Sequence, residues 1–419
     1  MTTDSVVSDA LPAPAREAEA MRAPAGEVAT RPTPGTRIDG LCLGVLALAG
    51  YYIANNGGFM YFNYHLHLAV SLLDGRLYIA NPPSWLTEFA FHEGKPYVYF
   101  DPFPAVFLLP FAAIWGLTVN IAHVAIVVGA FNVLFTRFML GALRVERAIA
   151  NWCTLLFTFG TVHLFAAQYG NTWLLAHLLA VTCLTLAWIE GIGAANPVLL
   201  GLLASCAATS RSPTLLGVPV LLVLSLGQRP RVSTAILFFV PLALTACLLG
   251  AYNFARFGDW FNNGYLMANQ AILQPQFGSF SWHYIAQNVT VYFLRLPGLS
   301  STWPYLTLTD HGLSLIATTP AVLLLLRPGW SPRLPDAPWY GRLALAGSAL
   351  IFGLYMCYFW DGWRQFGARY TLDFTPFLIV ALALRCDGRR SGRWLLPVLA
   401  VLSIAVNVWG AWWWRIHRW

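Results

Sequence analysis

Side chains that can do chemistry are scarce in this 419-residue chain and unevenly spread. The stretch from Asn55 to Pro110 holds Asp74, Glu88, Glu93 and Asp101, together with His65, His67, His92 and the one lysine, Lys95. Further along, the polar intervals contribute Arg211, Arg256, Asp259, Arg295, Asp310, Asp361, Arg364, Arg369 and Asp373. Carboxylates in such loops can accept a proton, and guanidinium or ammonium groups can hold an anion. Each also has a plainer explanation. Glu88 reads as a solvated loop acid, Asp101 as the cap of a helix over 103–116, and Asp74 as the solvated end of an amphipathic helix. Arg211 has helix-end snorkelling as its alternative, and Arg364 and Arg369 an ion pair with Asp361. His65 and His67 sit among apolar neighbours and read as interfacial polar residues rather than metal ligands.

Several chemistries are excluded by what is missing. There is no Walker loop, no dinucleotide-binding GxGxxG, no HExxH and no GxSxG. The seven cysteines lie in or beside apolar runs without a CxxC, so they read as small buried hydrophobes. The net charge of +7 does not point to nucleic acid, because the arginines cluster at the ends of apolar runs, as orientation signals do.

Those apolar runs must position everything else. Hydrophobic residues make up 58% of the chain and charged residues 10%, and runs long enough for a hydrocarbon core of about 30 Å recur. The expected class is an all-α polytopic membrane protein. Residues 1–37 read as a disordered cytoplasmic tail and 38–419 as the membrane domain. About eleven crossings are expected, over 39–55, 119–136, 148–167, 172–190, 197–209, 213–226, 232–254, 312–327, 343–360, 369–384 and 394–413. Residues 103–116, short and with two prolines, read as a re-entrant or shallow segment. That choice puts every dense arginine cluster on the side of the N-terminus, which the positive-inside rule makes cytoplasmic. The outside then receives the loops 56–102 and 255–311. Each is expected to carry an amphipathic helix along the membrane, at 60–74 and 282–296. Glu93-Gly94-Lys95-Pro96 reads as a turn.

In order along the chain come SLLDGRLYI, EGKPYVYFDPFPAVFLLPFAAIWG, FTFGTVHLFAAQYGNTW, AATSRSP, YNFARFGDWFNNGY, DHGLSLIATTP and WDGWRQFGARYTLDFTP. This succession resembles bacterial integral-membrane glycosyltransferases of the C superfamily, nearest the branch of protein mannosyltransferases and aminoarabinose transferases. The resemblance covers roughly residues 38–385. It implies a hexosyl- or pentosyltransferase of the inner (plasma) membrane that takes a sugar from a polyprenyl-phosphate donor. The acceptor would be a glycan, lipid or protein on the extracytoplasmic side, with membrane lipids as surroundings and no nucleic acid. A divalent cation is left open. The phosphate leaving group would be held by Arg211, Lys95, Arg364 and Arg369. The family carries an Asp just after the first span, where this chain reads Asn55-Asn56-Gly57-Gly58 with no acid. The base would then be Glu88, Asp101 or Asp74. A transporter or flippase, and an inactive relative of the enzymes, are the alternative expectations.

Overall fold

The computed structural model describes residues 33–272, 275–303 and 305–417. The tail expected over 1–37 lies outside them as far as residue 32, and its last residues are helical. Helix α1 (Pro34–Asn55) starts at a proline behind Thr33, whose hydroxyl accepts the Thr36 N–H. The helices that follow are α2 (Tyr64–Leu73), α3 (Phe103–Trp115), α4 (Ile121–Ala142), α5 (Arg147–Phe159), α6 (His163–Tyr169), α7 (Thr172–Ile192), α8 (Pro197–Ser210), α9 (Val218–Gln228) and α10 (Val232–Phe257). After the second long loop come α11 (Ala337–Met356), α12 (Thr375–Cys386) and α13 (Arg390–His417). Among the described residues sheet is confined to two small hairpins, so the fold is mostly α-helical.

Among the described residues, five helices, α1, α4, α7, α10 and α13, are long and apolar enough to cross a membrane. A sixth span is available if α5 and α6, bent by 50°, count as one. This is fewer than the eleven crossings expected: α8, over 197–209, has only 14 residues, α11 is unbroken over 20 residues but not apolar enough, and three other runs are broken. Residues 312–327 divide into the four-residue helix Leu315–Thr318 and the 3-10 helix Pro320–Leu326. The run over 369–384 becomes a 3-10 helix, Arg369–Phe374, followed by α12. The run over 213–226 becomes the 3-10 helix Ser212–Gly217 followed by α9. A proline stands at or next to each break, at Pro219, Pro320 and Pro376.

Helix α7 is the axis of the bundle. Four-fifths of its apolar window is buried, against under a fifth for α10. It packs on α4 and α8, while α8 in turn packs on α10. Helix α10 leaves Val232, Ile236, Phe239, Val240, Leu244 and Leu248 exposed, an apolar face suited to lipid. Glycine sets how closely α8 and α10 approach. A Cβ on Gly201 would lie 2.1 Å from the Phe238 carbonyl oxygen.

The loop over 56–102 is more tightly built than a surface amphipathic helix requires. Helix α2 ends at Gly75 (φ 71°), where the Arg76 N–H reaches the Ser71 carbonyl and the Gly75 N–H that of Leu72. Its expected polar face is not all solvated. Of the expected polar stripe Asn63, His67, Ser71 and Asp74, Asn63 and Ser71 are buried alongside Leu66 and Ala69, while Leu73 of the apolar stripe is exposed; α3 packs along the helix. The expected turn is present. Glu93 and Gly94, both at positive φ, join strands β1 (Ala90–His92) and β2 (Lys95–Tyr97). The second amphipathic helix, expected over 282–296, is broken into a 3-10 turn, a short α-helix and a π-turn over Trp282–Leu294.

Candidate functional site

The loops and helix ends on one side of α7 enclose three neighbouring cavities that share Tyr99 and Phe100. The first, about 260 Å³, is lined by His65, Asp101, Arg211, Ser212, Asn263 and Tyr355 among others. The second, about 210 Å³, takes Glu88, Arg211, Arg364 and Arg369, walled by Trp173, Trp360, Trp363 and several tyrosines. The third is an apolar groove of about 790 Å³ between α8 and α10, whose polar end carries Asp101, Arg256 and Asp259. Leu215 and Cys247, both exposed, stand on the groove, so it opens sideways.

Arg211 follows the last residue of α8 in extended backbone (φ −147°) and lines both smaller cavities. Its Nε donates to Asp373 Oδ2 at 3.2 Å and its Nη2 to the Tyr355 hydroxyl at 3.1 Å. Tyr355 itself donates a short hydrogen bond to Asp373. The other oxygen, Asp373 Oδ1, receives His177 Nδ1–H at 2.6 Å. The guanidinium lies 5.4 Å from the Tyr370 ring, which stacks parallel on Tyr355. Helix α7 brings His177, α11 brings Tyr355, and the 3-10 turn before α12 brings Asp373.

Asp101 does not cap α3, whose N-terminus has no side-chain hydrogen bond. Its carboxylate crosses to Ser212, accepting the backbone N–H at 2.8 Å and the hydroxyl at 2.7 Å. It thereby caps the 3-10 helix beside Arg211 and holds that backbone in place. Burial pushes the Asp101 carboxyl above the usual range, with the Ser212 bonds and the Arg211 charge opposing.

Glu88 is less engaged. Its one hydrogen bond from a side chain is the Tyr99 hydroxyl, at 3.4 Å. Burial raises its carboxyl above the ordinary value, and the nearby Arg369 pulls the other way. Arg369 is buried, sits 5.8 Å from the Trp173 ring and 5.5 Å from Tyr370, and leaves Nε without a hydrogen bond. Arg364, at positive φ, stacks on Trp363. The expected pairing of Asp361 with these arginines is replaced. Asp361 receives Arg295 and His311, each at 2.9 Å, because the segment over 310–314 hydrogen-bonds to that over 365–368.

No match was found among protein-family models, curated proteins or solved structures.

Two of the expected site residues stand apart from these cavities. Asp74 pairs with Arg76 at 2.6 Å, both side chains nearly half exposed. Lys95 is exposed on β2 with Nζ 5.4 Å from the Tyr78 ring. His65 is brought in: it lines the first cavity, Nδ1 has no hydrogen-bond partner, and burial pushes its pKa down to about 3. His177 and Tyr355 were not anticipated. An ionisable residue inside an apolar run, as at His177, is the signal that marks such a site. Among the described residues, no three His, Cys, Asp or Glu side chains converge as a metal ion would need.

The site can hold an anion on guanidinium groups, pack flat faces against aromatic rings and accept a proton at Glu88. An apolar chain can lie in the groove beside them.

Proposed function

We propose that this protein is an integral-membrane glycosyltransferase that moves a sugar from a polyprenyl phosphate to an acceptor hydroxyl. The observation that carries the reading is the junction at Tyr99, Phe100 and Asp101. There a laterally open apolar groove meets two cavities lined by arginines and aromatic rings. A lipid-linked anionic sugar needs these surfaces side by side, because hydrocarbon and phosphate cannot share one environment. The polyprenyl tail would lie between α8 and α10, the phosphate on Arg211 and Arg369, and the sugar against the aromatic walls.

In the transfer, the acceptor oxygen bonds to the anomeric carbon as the bond from that carbon to the phosphate oxygen breaks. The polyprenyl phosphate leaves with the electron pair, and the acceptor proton goes to a carboxylate. Glu88 suits that role best, since Asp101 is engaged by Ser212 and Asp373 by three donors. The fold would be that of the C superfamily, in a bacterial inner membrane with the N-terminus cytoplasmic. Its eleven crossings would include the broken runs. A 3-10 turn rises about 2.0 Å per residue, so Arg369–Phe374 with α12 spans about 30 Å.

The test is release of free polyprenyl phosphate by the purified protein in lipid, across a panel of polyprenyl-phosphate sugars. Release by wild type that Glu88→Gln abolishes, with fold and sugar-donor binding retained, is the expected result. Binding without release would favour an inactive relative. Movement of the lipid between leaflets without transfer would favour a flippase.

A further inference from the structure

We infer that Asp373, steadied by His177 and Tyr355, is the positioning residue that orients Arg211 toward an anionic ligand in the cavity. The inference rests on the reading of Arg211 as a phosphate ligand. Both carboxylate oxygens are committed: Oδ1 to His177, Oδ2 to Arg211 Nε and the Tyr355 hydroxyl. The pair is asymmetric in its access to the site. The Asp373 side chain is fully buried, whereas Arg211 keeps 19% of its side chain accessible.

A guanidinium is a planar fork whose edges differ, and the position of one edge fixes the others. Here the Nε side is taken by Asp373, and Nη2 touches the Tyr355 hydroxyl. The Nη1 end carries the N–H groups that neither residue engages. Stacking near Tyr370 restrains the plane, and the Asp101–Ser212 bonds hold the backbone next to it. A buried ion pair is weak support for stability, since apolar replacements of equal volume often serve as well. Two elements meeting on one cation, with α7 holding Asp373 and the Asp101 loop holding the adjoining backbone, are better explained by the ordering of that cation before a ligand arrives.

Charge and orientation make opposite predictions, which allows a sharp test. Removing the Asp373 charge makes the site more positive, so electrostatics alone would tighten anion binding. Loss of orientation would weaken it. Farnesyl phosphate would be titrated into the full-length protein in lipid nanodiscs, with quenching of tryptophan fluorescence as the readout. We expect Asp373→Asn to raise the Kd by at least about tenfold and Tyr355→Phe by a smaller factor. In an Arg211→Gln background, Asp373→Asn should change nothing further. Unchanged or tighter binding by folded Asp373→Asn, or an equal loss in the Arg211→Gln background, would overturn the inference. Should Asp373→Asn fail to fold, Tyr355→Phe decides, with wild-type affinity counting against us. Binding equal in wild type and Arg211→Gln would remove both this inference and the role of Arg211. Binding that depends on Asp373 without any sugar transfer would sink only the transferase reading.

Discussion

Asp101 and Glu88 are both raised carboxyls in one loop, yet their neighbours assign them different work. Asp101 accepts two hydrogen bonds from Ser212 and so acts on the backbone beside Arg211. Glu88 has the single long bond from Tyr99, which leaves it open to a hydroxyl. Glu88→Gln should lower turnover by about 10²-fold or more, the usual contribution of a positioned base. Asp101→Asn should instead raise the Michaelis constant for the sugar donor, and Ser212→Ala should reproduce part of that rise. The pH profile carries a sign. A base must be ionised to act, and burial raises Glu88, with Arg369 opposing, so its acidic limb should lie above the ordinary glutamate range. Turnover should rise with pH through that limb, and the limb should vanish in Glu88→Gln. A limb at ordinary carboxylate pH would point to a solvated group elsewhere. Asp74→Asn and Lys95→Ala should leave sugar-donor binding unchanged, as both stand outside the cavities.

At the scale of elements, the long spans were legible because an apolar run of twenty residues has few other uses. Helices α1, α4, α7, α10 and α13 all lie where the hydropathy put them, within a few residues at most ends. The broken runs were not legible, since a 3-10 turn and an α-helix of equal apolarity look alike until the proline is weighed. Arg211 stands between apolar runs, where a charge is conspicuous, whereas His177, the partner of Asp373, lies inside α7 and is hidden by its apolar run. Asp373 is legible as an acid, but nothing in sequence spacing joins residues 177, 211 and 373. Two further expectations belong to the elements. Gly201→Ala should push α8 from α10, costing about 1–3 kcal/mol and weakening polyprenyl phosphate binding without touching any polar group. Asp39 receives the buried Arg137 at 3.0 Å and Arg147 at 2.6 Å, tying α1 to α4 and α5. Asp39→Asn should lower thermal stability in lipid by about 3 kcal/mol, since it leaves Arg137 uncompensated. An unchanged melting temperature would show that solvent reaches that arginine.

For the whole molecule, the arrangement separates two faces of the bundle. The Asp39, Arg137 and Arg147 cluster and the arginines near Asp387 gather at one end, and the three cavities at the other. With the N-terminus cytoplasmic, as proposed, a cysteine placed at Lys95 should react with a membrane-impermeant maleimide from the outside of intact cells and one placed at Arg390 should not; the reverse pattern would overturn that orientation. The groove beside α10 has a consequence for how any rate must be measured. A tail that slides in from the side arrives by diffusion in two dimensions, so the protein responds to the number of substrate molecules per lipid and not to their number per litre. If the proposed transfer occurs, adding inert lipid to a fixed amount of protein and polyprenyl-phosphate sugar, in an unchanged volume, should slow it as though the sugar donor had been removed.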